Sequence, residues 1–148
     1  MPYTDIDFMS ERDAENLVGR DDTIVISIRS SYAEPAEISK GFKDVLYLAF
    51  DSDYRQRAGE VRFSEAHADQ VLDFVERYES STTRIVVNCG AGECRSAAVA
   101  HYLSSKYKVE LQRSTDYALM FVCYILGTQD RLRFTVPTVT VDNKSQAA

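Results

Sequence analysis

Apolar residues along the chain fall into short blocks separated by polar segments, and three of these blocks predict buried strands. The blocks are TIVISI at 23–28, VLYLAF at 45–50 and RIVVNC at 84–89. Each is short, mostly apolar and bounded by polar or turn-forming residues, which favours a strand over part of a helix. We therefore expect a sheet at the centre of the protein.

Three further segments have the spacing or composition of helices. Ser10 followed by Asp13 is typical of a helix N-cap and predicts a short helix through about Val18. Ser64 is suited to cap a second helix, whose apolar residues recur on one face: Ala68, Val71, Leu72 and Val75. The alanine-rich segment 95–107 predicts a third helix that packs closely on a sheet.

The carboxyl-terminal third predicts one more helix and a terminal segment. YALMFVCYIL at 117–126 is apolar on all sides and precedes Gly127, so we expect a central buried helix that ends at a glycine cap. The segment 131–141 favours an edge strand or a strap, because Pro137 cannot donate to a central β-ladder. DNKSQAA at 142–148 has nothing to bury, and about 138–148 is predicted to form a flexible tail.

The order of strands and helices predicts an α/β fold with a mostly parallel sheet of about four to five strands, flanked by helices. The 148 residues, 45% of them hydrophobic, suffice for one continuous core, so 1–148 is expected to form a single domain. Loops at the carboxyl ends of parallel strands share one edge of a sheet. Cys89 and the loop 51–60 should therefore emerge close together.

Composition and charge narrow the functions that the chain is suited to. It has 17 Lys and Arg residues against 23 Asp and Glu residues, a formal net charge of -6, which argues against a nucleic acid or an anionic membrane as partner. The amino terminus is acidic, without the basic and apolar regions of a signal peptide, and no stretch reaches the ~18 apolar residues of a membrane span. We expect a cytoplasmic protein.

The cysteines and histidines do not form the pattern of a metal site or a disulfide scaffold. Cys89, Cys94 and Cys123 are odd in number and none belongs to a CxxC pair. His67 and His101 each lie in a helical pattern away from a second ligand, so both are interpreted as packed or solvated helix residues. No metal and no other cofactor is expected.

The segment NCGAGECRS at 88–96 has the features of an anion-binding loop. A glycine-rich turn between a strand and a helix points backbone N–H groups into one concavity, to which the helix adds its positive end. Gly90 and Gly92 are expected where a Cβ would obstruct a positive φ or an approaching oxyanion. Arg95 would grip two oxygens, and Cys89 would lie below them as a thiolate placed for attack on phosphorus. The predicted phosphate-binding residues are Gly90, Ala91, Gly92, Glu93, Cys94 and Arg95.

The same residues resemble the signature loop of the cysteine-based protein tyrosine phosphatase superfamily, His-Cys-x-x-Gly-x-x-Arg-Ser/Thr. Cys89, Gly92, Arg95 and Ser96 match this pattern, and Asn88 stands where the family has His. The resemblance implies hydrolysis of phosphomonoesters on tyrosine, or on tyrosine and serine or threonine, through a cysteinyl-phosphate intermediate. It also implies that Ser96 stabilises the departing thiolate of Cys89 by hydrogen bonding.

The order of elements over about 23–126 is similar to that of compact dual-specificity phosphatases and their bacterial and phage relatives. The segment GECRS also resembles the phosphate-binding loop of low-molecular-weight tyrosine phosphatases. Those proteins carry the loop near the amino terminus and take their acid from a downstream Asp-Pro, which this chain lacks. We therefore assign the dual-specificity order, with a phosphorylated protein or a small phosphomonoester as the expected substrate.

The family resemblance further implies an upstream Asp that protonates the leaving oxygen, and the segment FDSD offers two. Asp51 is favoured because it directly follows a strand and so has a rigid support, and Asp53 is the alternative. Both also suit a simple turn. Arg55, Arg57 and Arg62 follow and either bind a second negative charge on a substrate or form a solvated surface.

Two departures from the family pattern keep a second function open. Asn88 replaces the His that helps to lower the thiol pKa, and Asp116 stands where relatives often have an Asn that braces the loop. The alternative is a catalytically weak phosphate-binding pseudophosphatase or adaptor module, and a third candidate is sulfur transfer by a rhodanese-like domain. Cys94 is either a small packed residue or a partner for oxidised Cys89, and Cys123 is expected in the core.

Overall fold

The order of strands and helices is that expected for an α/β protein. The computed structural model describes the backbone of residues 2–52 and 59–147, and within these ranges it describes side chains as far as residue 134. In chain order they are β1 (Asp5–Ser10), α1 (Glu11–Glu15), β2 (Thr23–Arg29), β3 (Asp44–Ala49), α2 (Glu65–Arg77), β4 (Arg84–Cys89), α3 (Arg95–Tyr107) and α4 (Met120–Ala147).

The four strands form one parallel sheet in the order β1-β4-β2-β3, which confirms the predicted fold class. Strand β4 lies in the middle, where Ile85 aligns with Ile6 on one side and with Ile24 on the other. All carboxyl ends therefore meet at one edge, and Ser10 aligns with Cys89 there.

Strand β1 was not among the predicted strands. Its sequence DIDFMS contains acidic residues, which weaken the apolar signal, although Ile6 and Phe8 alternate at the spacing of a strand and are both buried. Ser10, the predicted helix cap, ends this strand and accepts a hydrogen bond from the Asp13 backbone N–H. The helix that follows stops at Glu15, earlier than predicted.

The sheet separates two apolar clusters of different size. The larger cluster lies on the face covered by α2, α3 and α4 and includes Ile85 and Val87 of the central strand. The smaller cluster lies on the other face and consists of Met9, Ala14, Val25 and Val86. Side chains of β4 thus alternate between the two faces, as the geometry of a strand requires.

Helix α2 confirms the predicted cap and the predicted buried face. The Ser64 hydroxyl accepts from the His67 backbone N–H, and the Ser64 backbone N–H donates to Nδ1 of His67 at 3.0 Å. The His67 Nε2 lies 3.1 Å from the Ala49 carbonyl oxygen, so this histidine is a packed helix residue, as expected. The predicted apolar face is buried: Ala68, Val71, Leu72 and Val75.

Helix α4 differs from its prediction in both length and position. Gly127 lies inside the helix rather than at its end, and the segment 131–141, predicted as an edge strand or a strap, is helical. Side chains such as Tyr124 are exposed, while Val122 and Leu126 are fully buried. The expectation of a central buried helix is therefore wrong, because α4 packs on α2 and α3 from outside and buries only one face.

Ion pairs beyond Gly127 explain why the helix continues. Asp130 accepts from Lys106 of α3 at 3.0 Å, and Arg133 donates to Asp73 of α2 at 2.7 Å. These contacts place the polar residues after Gly127 against the neighbouring helices, so the helical conformation has partners that a strand would lack. The helix includes most of 138–148, whose flexibility stays a prediction.

No helix within the described residues is long and apolar enough to cross a membrane.

Candidate functional site

A short loop joins the carboxyl end of β4 to the start of α3, at the edge where the parallel strands end. We call the backbone of residues 90–94 together with the Arg95 side chain the anion cup. Helix α3 begins at Arg95, and Cys94 precedes it without a side-chain cap, so the first N–H groups of the helix are directed toward this loop. Such a helix end is suited to bind an anion.

Glycine is required at one of the two predicted positions. Gly92 has a φ of 77°, and a Cβ built on it would lie 2.4 Å from the carbonyl carbon of Met9 and 2.4 Å from the backbone nitrogen of Ser10. Gly90 is different, because its φ is not positive and a Cβ there would only contact Arg95 Nη2 at 3.5 Å. A positive φ is therefore the reason for glycine at Gly92 and not at Gly90, where room for an approaching oxyanion stays a prediction.

Backbone hydrogen bonds fix the loop from two sides. The Gly90 carbonyl oxygen accepts from the Glu11 N–H at 3.1 Å, which ties the loop to the start of α1. The Cys94 carbonyl oxygen accepts from Leu119 N–H at 3.3 Å and from Ala98 N–H at 3.1 Å. The loop is thus held in place before any ligand binds.

Cys89 is the last residue of β4 and lies beneath the loop. It is only 2% exposed, and its Sγ lies 3.2 Å from the Ser96 hydroxyl oxygen. Burial by itself raises the pKa of this thiol, but the Ser96 hydroxyl, the backbone groups of Ser96 and Gly92, and the charge of Arg95 together lower the pKa below its ordinary value. The site therefore favours a thiolate at a buried position.

The guanidinium of Arg95 connects the loop with the ends of two neighbouring strands. Its Nη1 donates to the Ser30 hydroxyl oxygen at 3.1 Å and to the Phe50 carbonyl oxygen at 3.1 Å. Ser30 directly follows β2, and Phe50 directly follows β3. These contacts hold the planar fork at the rim of the loop, where it is suited to grip two oxygens of a phosphate.

Asp51 is buried and accepts hydrogen bonds on both of its oxygens. Oδ1 accepts from the Ser31 N–H at 3.0 Å, and Oδ2 accepts from the Ser31 hydroxyl at 2.7 Å and from the Val61 N–H at 2.7 Å. Burial alone raises the pKa of this carboxyl, but the hydrogen bonds from Val61 and Ser31 and the charge of Arg95 outweigh it, so the pKa is lowered.

This environment argues against the predicted role of Asp51 as the proton donor. A general acid must hold its proton near neutral pH, whereas Asp51 is stabilised in its ionised form and joins residue 31 to residue 61. Asp53, Arg55 and Arg57 lie outside the described residues. Arg62 lies on the surface.

Asn88 lies on the opposite face of the sheet from Cys89. It is 1% exposed and aligns with Met9 and Ser27, and among the described residues neither Oδ1 nor Nδ2 has a hydrogen-bond partner. Burying an amide in this way costs about 1–3 kcal/mol. The groups that lower the pKa of Cys89 come from the loop and from α3, and Asn88 is not among them.

The remaining predicted residues lie around the loop or behind it. Asp116 is exposed, and its N–H donates to the Ser114 hydroxyl at 3.2 Å; the contact to the loop comes from Leu119 instead. Burial, followed by the charges of Cys89 and Glu93, raises the pKa of Cys94. Cys123 packs against the larger core cluster as expected, and burial raises the pKa of its thiol to about 11.

Two serines belong to the site although sequence reasoning did not single them out. Ser30 contacts Arg95, and Ser31 contacts Asp51. Their position directly after β2 is a signal for the site, because the carboxyl end of that strand lies beside the end of β4.

The comparisons with known proteins give distant structural similarity and no match in sequence. No protein-family model matches the chain, and no curated protein matches it. Among solved structures the chain is similar to OH1 from the Orf virus, which is described as a tyrosine phosphatase that displays distinct structural features and triple substrate specificity. The TM-score is 0.42 at 18% sequence identity, over 90% of this chain and 73% of the viral chain.

Proposed function

We propose that the protein is a cysteine-dependent phosphomonoesterase of the protein tyrosine phosphatase type, acting on phosphorylated protein side chains. The observation that supports this most strongly is the thiol of Cys89, buried beneath a glycine loop with a pKa below its ordinary value. Arg95, held at the rim of the same loop, supplies the positive charge that a phosphate requires.

The proposed reaction begins with the phosphate dianion bound by backbone N–H groups of residues 90–94 and by Arg95. The Cys89 thiolate attacks phosphorus, an S–P bond forms, and the P–O bond to the leaving group breaks. A carboxylic acid donates the proton that the leaving oxygen takes up. In a second step water attacks phosphorus while the same carboxylate accepts its proton, and the S–P bond breaks.

Ser96 acts in both steps of this proposal. Its hydroxyl oxygen lies 3.2 Å from Cys89 Sγ, so a hydrogen bond to sulfur stabilises the thiolate before attack and again when it departs.

Asp53 is the carboxylate that we assign to the proton transfers, because Asp51 is held in its ionised form by three hydrogen bonds. Both residues belong to the segment that follows β3.

The second candidate function is a phosphate-binding module with little turnover. It is favoured by Asn88, whose buried amide replaces the family histidine without partners among the described residues. Such a protein would bind inorganic phosphate or vanadate through the same anion cup and release an aryl phosphate unchanged.

One comparison separates the two functions. We expect the wild-type protein to hydrolyse an aryl phosphate and the Cys89→Ser variant to lose this activity while it still binds inorganic phosphate, measured by calorimetry. Cys123→Ser is the matched control, since Cys123 packs against the core and contacts the Ala98 carbonyl oxygen of α3 rather than a residue of the loop, and it should keep the activity. Phosphate binding by a wild-type protein that shows no hydrolysis would support the binding module instead.

A further inference from the structure

A cavity of about 670 Å³ lies between the start of helix α2 and the first turns of helix α4. Cavities of roughly 300–1,000 Å³ are the usual size of ligand pockets, which are lined mostly by apolar and aromatic residues. This cavity has the same kind of lining, with six aromatic or aliphatic residues: Val61, Phe63, His67, Phe121, Tyr124 and Ile125.

Charges among the described residues of the cavity wall balance each other. Arg62 and Glu65 both line the cavity and are both exposed, so one positive and one negative charge meet there. Burial lowers the pKa of His67, whose Nδ1 accepts from the Ser64 backbone N–H, so this imidazole is neutral near pH 7. An apolar group is therefore a better guest for the cavity than an ion.

The cavity lies at the same edge of the molecule as the anion cup. Helix α2 begins beside the end of β3, because His67 Nε2 lies 3.1 Å from the Ala49 carbonyl oxygen. Helix α4 begins beside the cup, because the Leu119 N–H donates to the Cys94 carbonyl oxygen at 3.3 Å. The two helices that enclose the cavity thus both start where the parallel strands end.

Phe50 connects the cup with the cavity wall. Its carbonyl oxygen accepts from Arg95 Nη1 at 3.1 Å, and its ring centroid lies 4.8 Å from that of Phe63 and 5.6 Å from that of His67. A single residue therefore separates Arg95 from two residues of the wall. Three or four residues of an extended peptide span about 10–13 Å, which is the scale of this separation.

We propose that the cavity is a second binding pocket for the phosphorylated protein, which takes a large apolar side chain about three or four residues away from the phosphorylated one. This inference rests on the proposed function. Transfer of an apolar side chain from water into a cavity lined by rings is favourable. Because the anion cup already holds the same peptide by its phosphate, the second contact forms at a high effective concentration.

The inference is tested with phosphotyrosine peptides of one alanine and serine sequence, in which a single leucine is moved through the four positions on either side of the phosphotyrosine. Leucine at one or two of these positions should raise kcat/KM by about threefold to thirtyfold over the peptide without leucine. Tyr124→Ala should remove most of this gain, because it removes a ring from the cavity wall, whereas Tyr124→Phe should keep the gain.

Phe134→Ala is the matched control and should keep the gain. Phe134 is 76% exposed on the same helix, ten residues beyond Tyr124, or about 15 Å along the helix axis. Tyr124→Ala should also leave hydrolysis of a small aryl phosphate unchanged, because such a substrate has no group that reaches the cavity. A general defect of the variant would instead slow both substrates.

Binding of the same peptides to the Cys89→Ser variant tests the pocket without turnover, and the gain from leucine should again depend on Tyr124. No gain at any position, or a gain that is equal in Tyr124→Ala and Phe134→Ala, would overturn the pocket. Hydrolysis of the peptide without leucine would then leave the phosphatase proposal intact. A gain in binding that depends on Tyr124, in a wild-type protein that shows no hydrolysis, would support the pocket and overturn the phosphatase proposal.

Discussion

At the scale of single residues, the thiol of Cys89 receives its activation from groups that follow it in the chain. Burial raises the pKa of this thiol, but Ser96, the backbone of Gly92 and the charge of Arg95 together lower it below its ordinary value. Because the thiolate is the reactive form, reactivity should rise with pH through this lowered pKa and reach its plateau below the pH at which an ordinary thiol does.

Ser96→Ala should move this midpoint upward, because the thiolate loses the hydrogen bond from the Ser96 hydroxyl. The rate of alkylation by iodoacetamide, measured against pH and assigned to Cys89 by mass spectrometry of peptides, gives the midpoint. Cys123, with a pKa raised to about 11, serves as the internal reference and should not shift. An unchanged Cys89 midpoint in the variant would show that Ser96 does not stabilise the thiolate.

Asp51→Asn should lower the free energy of unfolding by about 1–3 kcal/mol. The carboxylate accepts three hydrogen bonds, whereas the amide NH2 group of Asn is itself a donor and leaves at least one of the three donors without an acceptor. The folded pKa of Asp51 is lowered, so its stabilisation is present above the unfolded pKa and is lost as pH falls through the folded pKa. Urea unfolding at neutral and at acidic pH should therefore show a difference from wild type that narrows below about pH 4.

The exposed Asp116 provides the control, and Asp116→Asn should change the free energy of unfolding by less than about 0.5 kcal/mol.

Measurements of hydrolysis separate the two candidates for the general acid, Asp51 and Asp53. Asp53→Asn should slow hydrolysis of an ester with a poor leaving group far more than of one with a good leaving group. If Asp51→Asn shows this leaving-group dependence and keeps wild-type stability, then Asp51 is the acid.

At the scale of elements, the contact between the loop and the end of β1 determines the shape of the anion cup. Gly92→Ala should lower the free energy of unfolding by at least about 1–3 kcal/mol. The added Cβ would lie 2.4 Å from backbone atoms of Met9 and Ser10, and the φ of 77° is unfavourable for a residue with a side chain. Phosphate affinity should fall as well. Thermal unfolding and calorimetry measure the two effects.

The paired variant Gly90→Ala tests the same loop without the clash. A Cβ at Gly90 meets only Arg95 Nη2, at an ordinary contact distance of 3.5 Å, so stability should change by less than about 1 kcal/mol. Equal effects of the two substitutions would contradict the account of the loop.

Helix α4 shows a second feature at this scale, namely a single buried face. Leu126→Ala should cost about 2–5 kcal/mol because Leu126 is fully buried between the helices. Tyr124→Ala, on the same helix but 72% exposed, should change the free energy of unfolding by less than about 0.5 kcal/mol. A large loss of stability for Tyr124→Ala would restore the earlier expectation of a helix buried on all sides.

At the scale of the whole molecule, local patterns in the sequence predicted the central elements and failed at the periphery. Helix α3 matches the alanine-rich segment 95–107, and β4 matches RIVVNC. Strand β1 was missed because its acidic residues interrupt the apolar run. The end of α4 was missed because its partners, Asp73 and Lys106, are distant in sequence, so no local pattern contains the ion pairs that continue the helix.

The residues of the candidate site also divide into those that a local sequence pattern identifies and those whose surroundings only the folded chain shows. Cys89, Gly92, Arg95 and Ser96 stand within eight residues of each other, so a local pattern of strand, glycine turn and helix places them together at one junction. The contacts of Asp51 come from Ser31 and Val61, on separate segments, and only the folded chain shows that this carboxylate is held in its ionised form. Spacing identifies residues that act within one loop but does not show how a distant residue is surrounded.

The central claim is that a phosphoryl group passes through Cys89, and trapping the intermediate tests it most directly. The wild-type protein is mixed with an aryl phosphate, denatured within the first turnovers and digested with trypsin, and the peptide 85–95, which contains Cys89 and Cys94, is fragmented in a mass spectrometer. We predict one phosphoryl group on Cys89 and none in the Cys89→Ser variant. A phosphoryl group on another residue, or hydrolysis that persists in Cys89→Ser, would contradict this mechanism.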